Sequence, residues 1–221
     1  MVPKRISNFL KSFEENIESL HEDYYFILND NFLVRRKENE NKLDFTNLLK
    51  GLEMEKIETC FVKHCHGAFG ISLTHLDGWK LTYSGDTMPC NSLIELGMES
   101  DLLIHEATME DGMEKEAELK THSTVSQAIE IGESMKAKNI ILTHFSQRYA
   151  RLPMLGKHTT SKIGVAFDNM LVSLNDIQKL HYLYPSLLLM FAEDYERTVI
   201  KMNKKTENEN IQKNVITLVN N

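Results

Sequence analysis

Four short apolar runs in this chain each stop on a histidine or an aspartate: ETCFVK on His64, KLTYSG on Asp86, DLLI on His105 and NIILT on His144. Neutral imidazole and carboxylate are the usual side-chain ligands of zinc and related divalent ions in hydrolases. Loops at strand ends are where a rigid scaffold presents such groups. Four such endings between positions 64 and 144 point to a shared site along one edge of a sheet. Asp86 follows Gly85, which is expected to permit a turn that a larger residue would resist. Its two carboxylate oxygens face different directions and suit a bridge between two ions. Each residue alone also has a structural alternative, a hydrogen-bonded histidine at a strand terminus or an Asx-turn or capping aspartate. Their joint occurrence favours the chemical reading.

A second constellation lies beside the first. Glu106 follows His105, and His122 opens the run THSTVSQAIE. A carboxylate next to an imidazole orients it, and the pair makes a competent general acid. His122 as an ordinary residue at a helix start is the alternative, and composition does not separate the two. Arg148, in FSQRY, can hold a phosphate through bidentate contacts or sit on an exposed loop. His21, His66, His75, His158 and His181 lack comparable surroundings and read as structural or surface residues. HLDG at 75–78 reads as a hairpin turn.

The elements that must position these groups follow from periodicity. Residues 4–20 place Ile6, Phe9, Leu10, Phe13, Ile17 and Leu20 at helical spacing. Tyr24 to Leu28 is compatible with a strand, and Arg35 to Lys42 with an exposed charged loop. Asp44 or Thr46 can cap a helix through Leu48, Leu49 and Leu52. From Glu58 the period changes, and CFVKH, FGISLTHL and WKLTYSG read as three strands with a turn at Asp77-Gly78. Asn91 or Ser92 starts a helix that ends near Gly97. DLLIH is a buried strand, MEDGMEKEAELK an acidic surface segment, and Ser123 or Thr124 caps the helix VSQAIEIGESMK. NIILTH is the next buried strand. Strand, helix, strand, helix, strand from residue 79 onward implies an α/β layered sheet. A further helix is expected from Pro185 to about Met202, and the polar tail KKTENENIQKN is expected to be disordered.

With 221 residues the chain can bury a substantial core. A mean hydropathy of -0.33 and no apolar run approaching the roughly 20 residues of a membrane helix argue against a spanning segment. The N-terminus lacks the continuous apolar stretch of a secretory signal. Cys60, Cys65 and Cys90 are odd in number and lack framework spacing, which fits a reducing, intracellular compartment. The net charge of -7 argues mildly against a polyanionic partner.

The runs VKHCHGAFG, YSGDTMPC, LIHEAT, THSTVSQAI and LTHFSQRYA resemble, in this order, the motifs of tRNase Z, most of all its long eukaryotic form. This family of metallo-β-lactamase-fold endonucleases removes the 3′ trailer of precursor tRNA. The likeness covers about residues 57–172, continuing through VAFDNM, and HEAT, HST and HFSQRY in order are far more specific than a bare SGD. The resemblance implies an αββα sandwich and a site of two zinc ions. In it His64 would bind the first ion, Asp86 would bridge, and His144 would bind the second. Glu106 and His122 would donate a proton to the leaving 3′ oxygen, and Arg148 would contact RNA phosphate. Precursor tRNA would be the partner and nucleus, mitochondrion or both the location, with no membrane.

The family's His-x-His-x-Asp-His cluster is absent from this chain, since HCHGAF and THLDGW do not satisfy it. In the family it lies upstream, and KRISNFLKSF resembles a segment that follows it. The expectation is therefore a C-terminal half of the catalytic domain over 1–202, a polar tail over 203–221, and no activity of the chain alone. A homodimer or association with the missing half-domain would complete it. Two other readings are a metallo-β-lactamase-fold hydrolase of small esters or amides, against which HEAT with HST argues, and a noncatalytic half-domain.

Overall fold

Residues 54 to 83, with β-branched or aromatic residues such as Ile57, Thr59, Phe69, Ile71, Thr82 and Tyr83 in the strands, form a three-stranded meander. Strands β1 (Met54–Phe61), β2 (Phe69–His75) and β3 (Lys80–Tyr83) pair antiparallel in succession, with Ile57 opposite Leu73 and Leu73 opposite Leu81. Asp77-Gly78 makes the expected turn: Gly78 has φ 85°, and its N–H donates to the His75 carbonyl at 2.9 Å. The next strands, β4 (Leu102–Glu106), β5 (Asn139–Thr143) and β6 (Ile163–Val165), add in parallel to β3. They are apolar runs, as strands covered on both faces must be. The result is one six-stranded sheet whose strands lie in the order of the chain. The computed structural model describes residues 46–146, 152–193, 196–197 and 199–200. The expected helix at 4–20, strand at Tyr24–Leu28, loop at Arg35–Lys42 and tail at 203–221 lie outside them, as does Arg148.

The α-helices that accompany the sheet include α1 (Thr46–Gly51), α2 (Asn91–Gly97), α3 (Glu114–Lys120), α4 (Val125–Ser134) and α5 (Leu183–Met190). The pleat sends alternate residues of each strand to opposite faces. Leu103, Ile140, Leu142 and Val165 face a core shared with Leu93 of α2 and Val125, Ala128 and Ile129 of α4. Leu102 and Ile141 face the other way, against Ile177 and Leu180 from a 3-10 stretch at Leu174–Tyr182. α4 lies so close to the sheet that a Cβ on Gly132 would collide with Ile140, its Cγ1 being 2.7 Å away. Thr124 caps α4 in a reciprocal box: its hydroxyl accepts from the Gln127 N–H at 3.3 Å, and Gln127 Oε1 accepts from the Thr124 N–H at 3.0 Å. No helix among the described residues is long and apolar enough to cross a membrane.

Several elements differ from expectation, among them the first strand, which spans Met54–Phe61 rather than CFVKH and ends three residues before His64. MEDGMEKEAELK contains α3, a helix that buries only Ala117 and so shows almost no apolar periodicity. β6 is three residues long, too short for a period to register. The C-terminal helix begins at Leu183, so Pro185 sits in its first turn, where its missing N–H breaks no bond.

Candidate metal centre

β1 runs antiparallel to β2 and β2 to β3, while β3 to β6 are parallel. The C-terminal ends of β1, β3, β4 and β5 therefore share one edge of the sheet. Beyond β1 the chain stays tied to that edge, because Lys63 bridges Met88 and its N–H donates to Thr87 Oγ1 at 3.1 Å. His64 follows. Gly85 turns the chain after β3 with φ 61°, and a Cβ there would lie 2.8 Å from the Phe69 carbonyl oxygen. Asp86 follows directly, as the sequence predicts. His144 comes immediately after β5 at φ 62°, a left-handed conformation that a side chain with a Cβ rarely adopts. Such backbone conformations concentrate at functional sites.

These placements bring three of the predicted residues together. His64 Nε2 lies 3.9 Å from Asp86 Oδ2, and His144 Nε2 lies 3.8 Å from Asp86 Oδ1. The two carboxylate oxygens thus face two different histidines. His122 stands between them, its ring centroid 4.8 Å from that of His64 and 5.6 Å from that of His144. Two sets of three donors lie within 4.8 Å of one another: His64, Asp86 and His122, and Glu106, His122 and His144.

Hydrogen bonds decide which nitrogen each ring offers. His64 Nδ1 lies 2.9 Å from the Thr121 carbonyl oxygen, which can only accept, so Nδ1 carries the proton. His122 Nδ1 lies 2.7 Å from Glu106 Oε1, again an acceptor. Both rings therefore present Nε2 as the second nitrogen. The His64 imidazole, held from behind by a carbonyl, and the carboxylate that it shares with His144 fit a divalent ion of the zinc type.

Glu106, the last residue of β4, is buried and anchors the whole arrangement. Oε1 accepts from the Thr87 N–H at 2.8 Å and from His122. Oε2 accepts from the Thr108 N–H at 3.1 Å, the Thr108 hydroxyl at 2.6 Å and the Ser123 N–H at 3.2 Å. With five donors aimed at it, the carboxylate acts as an acceptor that orients His122 and ties together the loops after β3, β4 and α3. Burial, then Asp86 and Glu106, raise the phenol of neighbouring Tyr83 above its ordinary value.

His105 does not join the site. It lies inside β4, fully buried, and its Nδ1 is 2.6 Å from the Glu106 carbonyl oxygen. Burial pushes its pKa down, which keeps the ring neutral. The apolar run ends one residue later than the sequence suggests, on Glu106. His75 stacks on Trp79 with centroids 4.6 Å apart at the opposite end of the sheet. His158 Nε2 lies 3.0 Å from Ser126 Oγ. Sequence reasoning missed Thr87, Thr108 and Thr121. Their one local signal is adjacency, since Thr108 is two residues from Glu106 and Thr121 precedes His122.

Comparison with known proteins finds no matching family model. A fruit-fly protein, the mitochondrial ribonuclease Z of Drosophila melanogaster, is 44% identical over 216 residues, 94% of this chain and 27% of its own length. The human zinc phosphodiesterase ELAC protein 2 is 51% identical over 151 residues, 68% of this chain and 18% of its own. The crystal structure of a long form RNase Z from yeast superposes with a TM-score of 0.62 at 35% identity, covering 70% of this chain and 22% of that one. The chain thus spans roughly a quarter or less of the length of these relatives.

Proposed function

This chain belongs to the ribonuclease Z family of the metallo-β-lactamase superfamily as a segment of it, and from that premise we propose that it carries part of the site of a zinc-dependent endoribonuclease that removes the 3′ trailer from precursor tRNA. The observation that supports this most is the sharing of Asp86 between His64 and His144, with the Glu106–His122 pair alongside. His64, Asp86 and His144 are the proposed ligands, with Asp86 bridging. Zinc, when bound, neutralises phosphate charge and makes a water nucleophilic near neutral pH. Glu106 holds the His122 ring by Nδ1, so a proton on Nε2 is aimed for delivery to the leaving 3′ oxygen. Arg148 is proposed to contact RNA phosphate.

Among the described residues, the proposed ligands fall short of two complete sites. Two catalytic zinc ions take about three protein ligands each beside a water, and His64, His144 and the two oxygens of Asp86 supply four positions. We propose that the remaining positions are filled from outside the described residues, by a complementary half-domain or by a second copy. The name of the fly relative supports mitochondrial residence; the nucleus rests on resemblance alone. The completed enzyme should cleave precursor tRNA at the trailer and leave a chromogenic ester untouched. Ester hydrolysis without tRNA cleavage would favour the small-substrate hydrolase instead.

A further inference from the structure

Thr108 stands where the two constellations meet. Its hydroxyl oxygen lies 2.6 Å from Glu106 Oε2, 2.7 Å from His144 Nδ1 and 3.3 Å from His122 Nδ1. A hydroxyl has one proton and two acceptor lone pairs. The carboxylate can only accept, so the Thr108 proton goes to Glu106. The hydroxyl is then an acceptor toward the imidazoles, and His144 Nδ1 must carry the proton that it receives. His122 Nδ1 is already committed to Glu106 Oε1 at the shorter distance of 2.7 Å. Thr108 is also tied to the loop after β5 through its backbone, its carbonyl accepting from the Ser146 N–H at 3.2 Å. Among the described residues, the hydrogen-bonded link from the His144 ring to the Glu106–His122 pair runs through this hydroxyl, beside the stacking of the His144 and His122 rings.

Resting on the zinc reading above, we propose that Thr108 is a positioning residue whose hydroxyl fixes the His144 ring with its proton on Nδ1, leaves Nε2 free for the ion, and joins that ligand to the Glu106–His122 pair. His64 is held differently, by the Thr121 carbonyl at 2.9 Å and hydroxyl at 3.0 Å. The two histidines that flank Asp86 thus depend on different threonines. Losing the Thr108 hydroxyl releases one and leaves the other in place.

The test uses the full chain without metal, with imidazole tautomers read by nitrogen NMR while the rings are neutral, followed by zinc affinity from competition with a chelator. Wild type and Thr108→Ser should show His144 with its proton on Nδ1. Thr108→Val should move a large share of that ring to the Nε2–H form while His64 stays on Nδ1, which excludes general unfolding. Zinc affinity should fall about tenfold in Thr108→Val, as loss of an outer hydrogen-bond partner does, and be retained in Thr108→Ser. An unchanged His144 tautomer in Thr108→Val overturns the assignment, as does equal loss of zinc in the valine and serine variants. No zinc binding by any variant, wild type included, counts against the metal reading, and the tautomer measurement then decides the role of Thr108 by itself.

Discussion

Asp86 offers one oxygen to each of two histidines, so replacing it removes a contact at both proposed ion positions at once. In the enzyme supplied with its remaining ligands, Asp86→Ala should abolish metal-dependent cleavage. His75→Ala, at the far end of the sheet against Trp79, should leave cleavage within about twofold, a change of less than 0.5 kcal/mol in the barrier. Steady-state rates on precursor tRNA decide this, and equal losses would dissolve the distinction between ligand and structural histidine. Glu110 makes a separate statement about pH. Burial raises its carboxyl from 4.5 to about 7, Asp111 adds to the rise, and the Met154 N–H at 3.4 Å only partly offsets it. The folded chain then holds a proton that the unfolded chain has lost, so stability falls as pH rises from 4.5 to about 7 and levels off above. The loss amounts to at most roughly 3 kcal/mol. Glu110→Gln should therefore raise the melting temperature at about pH 8 and change it little near pH 4.5. Melts showing the same shift at both pH values would contradict this.

α4 shows how an element carries the site. Its capping box closes two residues after His122, and its inner face buries Val125, Ala128, Ile129 and Ile131. Thr124→Ala should cost about 1 kcal/mol of stability, read from denaturant unfolding, with Thr124→Ser close to wild type. A loss below about 0.3 kcal/mol would mean that packing alone holds the first turn. The capping threonine, the alternation in β2 and the apolar runs of β4 and β5 were legible in the sequence because each is a local pattern. α3 was hidden because one buried alanine makes no period. His64, Asp86 and His144 were legible as polar ends of apolar runs, whereas His105 has the same appearance and lies inside the strand, facing the helices. The pleat decides that, and a run of apolar residues on both faces does not reveal the pleat. The threonines behind the histidines were not legible, since Thr121 meets His64 and Thr108 meets His144 only across the folded sheet edge.

The described residues present one sheet covered on both faces and a proposed donor set of four positions, where two catalytic zinc ions take about six from protein. The chain alone should bind zinc weakly, short of two tightly held ions, and remove no trailer. Metal content after dialysis, with a precursor tRNA assay, tests this directly, and two retained ions together with cleavage would refute it. Addition of a segment bearing a histidine and aspartate cluster should restore both. The strand order has a consequence for synthesis. Strands that neighbour one another in the chain also neighbour one another in the sheet, so each can dock on the edge left by its predecessor as it leaves the ribosome. His64 and Asp86 come with the early strands, but His144 arrives only with β5. A nascent chain halted before residue 139 has a finished meander and β4 but no means of completing the bridge, which makes metal retention a report on whether translation went far enough.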